Sequence, residues 1–217
     1  MNIKKILVIV PHGDDEILLC GGTIHKFAKQ GHEIHIAFVR QPHDERTAKQ
    51  LETTKKVKTH LRIKETYYLN LTEEETANNF LKLKCKVEDV ISTIRPEIIF
   101  TTFYGDNHQD HQNLFKAVSV ACRHHNAPFV KQIYVGEVCS STEQNIGPDK
   151  FNPTVYIPLS IDDITAKILA MEAYKTERRD HPHARSGENI SALATFRGAR
   201  INEKYAEAFM CLKLVWD

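Results

Sequence analysis

The sequence predicts an α/β protein: a three-layer fold with a mostly parallel sheet flanked by helices. Three observations predict it. Ile6-Leu7-Val8-Ile9-Val10 is an unbroken apolar run, the pattern of a strand covered on both faces. A helix-length stretch over 17–30 follows, closed by Gly31, and 33–39 then reads as a second strand. Strands and helices go on alternating along the rest of the chain, as parallel sheets require.

Taken in order, 44–63 reads as a polar second helix with Leu51, Val57 and Leu61 as its apolar positions. Tyr67-Tyr68-Leu69 is a short strand, and the acidic 72–76 is a surface loop or helix start. Phe80, Leu83, Val87, Val90, Ile91 and Ile94 recur at helical spacing until Pro96 stops them. A strand over 97–103, a loop over 104–111 and a helix over 112–125 follow. Residues 132–138 and 155–159 are strands, separated by the aperiodic stretch 140–152. Ser160-Ile161-Asp162-Asp163 resembles a capping box opening a helix through Arg178. After a loop over 180–187, a last helix takes part of 191–208, and 211–216 is a closing strand. The 217 residues suit one domain, 1–217.

Composition narrows the function classes. The 29 basic and 28 acidic residues leave a net charge of +1, which argues against a nucleic-acid-binding surface. No apolar stretch reaches the length of a membrane span. The five-residue run after Lys4-Lys5 is too short for a secretory signal, and it is followed at once by charge. Five scattered cysteines, with no C-x-x-C pair, suit reduced thiols. The expected location is cytoplasmic.

Two polar clusters sit at predicted strand ends, where ligands bind in open α/β sheets. One is Pro11-His12-Gly13-Asp14-Asp15-Glu16; the other is Asn107-His108-Gln109-Asp110-His111. Together they offer histidines and carboxylates for a divalent metal. A catalytic zinc takes three N/O ligands and an open position, whereas a structural zinc usually takes cysteine, absent from both clusters. Adjacent Asp14 and Asp15 repel, and a cation relieves this, leaving one to ligate and the other to act as base. His108 is suited to stabilise developing charge as an imidazolium, with Asp110 as its partner. Either aspartate alone would suit a helix cap, and His111 alone a helix start. Two clusters at two strand ends favour a joint site.

These residues resemble a known family. Pro11-His12-Gly13-Asp14-Asp15-Glu16 with Gly21-Gly22-Thr23 is similar to the P/A-H-P-D-D-E…G-G-T signature of the PIG-L/LmbE-like deacetylases. His108-Gln109-Asp110-His111 resembles its H-x-D-H motif, and Arg197-Gly198 with Tyr205-Ala206-Glu207-Ala208-Phe209 resembles its C-terminal segment. Gly13 departs from the usual proline, which loosens the loop. The resemblance implies a Rossmann-like fold and zinc-dependent removal of acetyl from an N-acetylglucosamine-type sugar or its conjugate. It implies His12, Asp15 and His111 as zinc ligands, Asp14 as general base, and His108 with Asp110 at the transition state. It is compatible with a homo-oligomer. Two other readings stay open: a metal-dependent amidase of a larger acyl conjugate, and a non-catalytic nucleotide- or metal-binding module.

Elsewhere, Gly21-Gly22-Thr23 is not G-x-G-x-x-G, so close helix packing explains it better than a phosphate loop. Arg40, Arg46 and His183 are candidate substrate-binding residues. Loops 41–44, 140–152 and 180–187 are candidates for reading the substrate.

Overall fold

The computed structural model describes residues 2–40 and 45–216, with backbone alone for 45–50. Among the described residues, seven strands form one sheet: β1 (Lys5–Val10), β2 (Glu33–Arg40), β3 (Glu65–Leu71), β4 (Ile98–Thr102), β5 (Gln132–Gly136), β6 (Val155–Leu159) and β7 (Tyr205–Leu214). Their order is β3-β2-β1-β4-β5-β7-β6. β1 to β5 run parallel, and β7 lies antiparallel between β5 and β6. The three-layer, mostly parallel expectation is therefore met.

The apolar run of β1 explains why the fold has two cores. Successive side chains point to opposite faces of a strand. Ile6, Val8 and Val10 enter one core with Ile34, Ile36, Phe38 and Phe100. Leu7 and Ile9 enter the other with Val39, Ile99, Val87 and Ile91. The first core is covered by α1 (Asp15–Lys29), α2 (Glu45–His60), α6 (Ile161–Ala173) and α7 (Gly187–Ala199). The second is covered by α4 (Phe80–Ile94) and α5 (Gln109–Ala121), beside the short α3 (Glu73–Asn78).

Several boundaries differ from the sequence expectation. The acidic 72–76 stretch is a true helix start: Thr72 and Glu75 form a capping box. The Ser160–Asp163 capping box is present, but α6 ends at Ala173 rather than Arg178. The last helix begins at Gly187, capped by Ser186, and ends at Ala199. Residues 205–208, expected within reach of that helix, are instead the start of β7, with 206–208 buried. The pairing of Phe209 with Gly136 and Val155 outweighs local helix preference there.

α1 is kinked. Cys20 leaves helical geometry (φ −153°, ψ 31°), which frees backbone groups around it. The Gly22 and Thr23 N–H groups donate to the Glu207 carboxylate at 3.0 and 2.7 Å. Lys167 Nζ donates to Leu18 O at 2.9 Å and to Glu207 at 2.7 Å. A Cβ on Gly22 would meet Leu159 Cδ1 at 2.5 Å, so packing and not phosphate binding explains the glycines. Among the described residues, no helix is long and apolar enough to cross a membrane.

Candidate active site

The strand order reverses direction between β1 and β4, and this switch point opens a crevice at the carboxyl ends of both strands. The loop after β1 carries His12 and Asp14, and Asp15 opens α1. The segment after β4 carries Asp106, His108, Asp110 and His111, the last two in the first turn of α5. The fold thus brings together the two clusters, 98 residues apart at His12 and Asp110.

Asp15 is the centre. Its Oδ2 lies 3.1 Å from His12 Nδ1 and 3.4 Å from His111 Nε2, and it accepts the His12 backbone N–H at 3.0 Å. Donor atoms of His12, Asp15 and His111 all lie within 4.8 Å of one another. The other nitrogen of each ring faces a further carboxylate: His12 Nε2 meets Asp110 Oδ2 at 3.1 Å, and His111 Nδ1 meets Asp106 Oδ1 at 3.3 Å. The first is a hydrogen bond. The second is close but out of line, so His111 Nδ1 has a charge contact without an aligned bond. Carboxylates behind ligating imidazoles are what a divalent metal site uses to fix the rings. Two imidazoles and one carboxylate, converging and backed in this way, fit a divalent cation such as zinc.

The electrostatics follow from burial and crowding. Burial opposes charge on His12, but Asp110 and Asp15 outweigh it and raise its pKa to about 9. Burial likewise opposes charge on His111, and Asp15 and Asp106 raise it to about 10. Burial works against an ionised Asp15, yet His111 and His12 hold its carboxyl well below the usual range. Asp14 goes the other way: burial, then the charge of Asp15, lift it well above the usual range against the pull of Arg185. Asp14 also sits at φ 116°, a conformation that side chains other than glycine's rarely adopt, and strain of that kind concentrates at functional sites.

The expected pairing of His108 with Asp110 differs from the structure. The Asp110 carboxylate is drawn to His12 Nε2 and lies 3.6 Å from Arg40 Nη1. Its bond to His108 is through the backbone: the Asp110 N–H donates to His108 Nδ1 at 3.2 Å, making His108 the cap of α5. Burial and the nearby His111 and His12 lower the His108 pKa, which disfavours the expected imidazolium. The physical reason is that His12, flanked by two carboxylates, is the stronger claim on Asp110.

Of the candidate substrate residues, Arg40 stands at the rim, 3.5 Å from His12 Nε2 and bonded to Glu73 at 3.0 Å. The Arg46 side chain and loop 41–44 lie outside the described residues. His183 is exposed, and its Nδ1 accepts the Arg185 N–H at 3.1 Å. Sequence reasoning missed three participants. Asp106 is buried behind His111, accepts from the hydroxyls of Ser141 and Thr142, and takes the His108 N–H at 2.8 Å. Its place two residues before His108 was the available signal. Glu16 accepts the Asp14 N–H at 2.9 Å and the Tyr174 hydroxyl at 2.6 Å. Arg185 reaches Asp14 from 171 residues away, and no local pattern marks that contact.

The family model described as PIG-L, GlcNAc-PI de-N-acetylase, matches residues 7–122, more than half of the chain. An uncharacterised deacetylase of Escherichia coli K12, YaiS, is 28% identical over 182 residues, covering 80% of this chain and 91% of that protein. A putative glucosamine-6-phosphate deaminase-like protein of Bacteroides thetaiotaomicron is 37% identical over 35 residues, and the chain spans only 5% of its length. The fold is similar to that of the N,N'-diacetylchitobiose deacetylase of Pyrococcus horikoshii (TM-score 0.76, 18% identity, 98% of this chain and 85% of that one). It is equally similar to GalB, the 4-carboxy-2-hydroxymuconate hydratase of Pseudomonas putida KT2440 (TM-score 0.76, 15% identity, 99% and 98%). With the family model spanning both clusters, the chain belongs to the PIG-L, GlcNAc-PI de-N-acetylase, family.

Proposed function

We propose that this chain is a zinc-dependent N-deacetylase that hydrolyses the acetamide of an N-acetylated amino sugar or its conjugate. The observation that carries the reading is a buried carboxylate of raised proton affinity, Asp14, adjacent in the chain to the centre of the donor set His12, Asp15 and His111. Family membership and the deacetylase among its structural neighbours support it.

His12, Asp15 and His111 would hold the metal. When bound, it supplies Lewis-acid activation of water and of the amide carbonyl. Asp14 takes a proton from the attacking water and passes it to the amide nitrogen as the C–N bond breaks. One water and one acetamide thus become acetate and a free amine. His108 accepts a backbone N–H at Nδ1, so its neutral ring carries hydrogen on Nε2 and can donate to the oxyanion. Arg40, at the rim, suits an anionic part of the substrate. The single sheet supports one working unit over 1–217. Five free cysteines support a reducing, cytoplasmic setting.

The test combines metal analysis with acetate release. About one zinc per chain is expected, and N-acetylated sugars, nucleotide sugars and sugar–thiol conjugates form the substrate panel. Chelation should abolish acetate release and zinc should restore it. Acetate release that survives full metal removal would overturn the metal assignment. The hydratase neighbour favours one second reading, addition of water to a carbon–carbon double bond. Loss of alkene absorbance from a muconate-type substrate, without any acetate release across the panel, would establish that reading instead.

A further inference from the structure

Asp14 is not oriented by its own helix. It precedes α1, and its backbone O accepts the Ile17 and Leu18 N–H groups at 3.0 Å each. Its side chain makes no capping bond, although an aspartate there commonly would. The carboxylate instead receives Arg185 Nη1 at 2.8 Å on Oδ2. Something outside the loop therefore decides where this carboxylate points.

Arg185 is itself anchored. Its Nε donates to Ser140 Oγ at 2.7 Å, and Nη1 also faces Glu177 Oε2 at 3.3 Å. Its backbone N–H is bonded to His183, and the next residue, Ser186, caps α7. Ser140 itself sits at a positive φ of 74°. Three segments distant in sequence meet on one guanidinium. The Nε and Nη1 groups hold Ser140, Asp14 and Glu177 from one rigid plane, a spacing that a lysine ammonium does not reproduce. The side chain is only 22% exposed.

We propose that Arg185 is a positioning residue: its fork, fixed on Ser140 and Glu177, aims the Asp14 carboxylate for proton transfer. This rests on the reading of Asp14 as the base. Misplacement of a reacting group by about 1 Å costs on the order of 100-fold in rate. Binding of substrate does not depend on that aim, so the effect falls on kcat.

The experiment uses Arg185→Ala and Arg185→Lys in the zinc-loaded protein, with metal content measured on each. The expected result is a kcat lower by about 10- to 100-fold, KM within about twofold and unchanged zinc. Added methylguanidinium should recover part of kcat in Arg185→Ala and none in Asp14→Asn. A second readout needs no activity. Urea midpoints of the metal-free wild type, Arg185→Ala, Asp14→Asn and the double variant form a cycle, and the two substitutions should be non-additive. Undiminished kcat in both Arg185 variants, or an additive cycle, overturns the proposal. If the wild type releases no acetate from any substrate, the deacetylase reading fails. The cycle then still decides whether Arg185 holds Asp14.

Discussion

Asp110 Oδ2 lies 3.1 Å from His12 Nε2, so a carboxylate from the second cluster fixes a ring of the first. This has a direct consequence for metal binding. Asp110→Asn keeps the backbone bond that caps α5, because that bond uses the Asp110 N–H. It removes the charge behind His12. Removing such a partner typically costs about 10- to 100-fold in metal affinity. Competition with a calibrated chelator measures it, and an unchanged zinc affinity would show that Asp110 does not support His12.

Asp14→Asn separates base from ligand. The expected outcome is zinc at the wild-type level with kcat reduced by about 10²- to 10⁴-fold, the range of general-base catalysis. Metal content and acetate release on the same preparation test it. Near-full turnover would remove Asp14 from the mechanism, and lost zinc would make it a ligand.

Metal binding should release protons. The folded pKa values of about 9 for His12 and about 10 for His111 lie above the ordinary 6.5. Both imidazoles must be neutral to ligate, so zinc affinity should rise with pH up to that range. The sign for stability is opposite. A raised histidine contributes stability that is complete below pH 6.5 and fades as pH passes through its folded value. The metal-free protein should therefore lose stability between neutral pH and about pH 10, and zinc should offset the loss. Calorimetry in buffers of different ionisation enthalpy counts the protons. An affinity flat from pH 6 to pH 9 would contradict the assignment.

Glu207→Gln should destabilise the fold. Lys167 is buried, and Glu207 is its counter-charge at 2.7 Å. Breaking a buried pair on one side costs about 3–5 kcal/mol. Lys167→Met added to Glu207→Gln should recover part of that loss, because the stranded charge is gone. Urea unfolding of the single and double variants reads both numbers, and a single variant as stable as wild type would sink the argument.

Much of the fold was legible because hydrophobic periodicity is local. The unbroken β1 run announced a strand buried on both faces, and the α4 spacing announced its helix. The last forty residues were less legible. Residues 205–210 carry no strong strand signal of their own, and they become β7 through pairing with β5 and β6. The site was legible in part for the same reason. His12, Asp14 and Asp15 stand together in the chain, as do His108, Asp110 and His111, each group at a strand end.

By itself, then, the sequence determined the layered α/β class and the two clusters, whose residue types are able to hold a metal. Residue type, spacing and strand ends are all short-range properties. Only the tertiary structure decided the partnerships. It gave Asp110 to His12 rather than to the His108 ring, set Asp106 behind His111, and brought Arg185 to Asp14. Side-chain pairing depends on distance and competing charge in three dimensions, and neither is written in the order of residues.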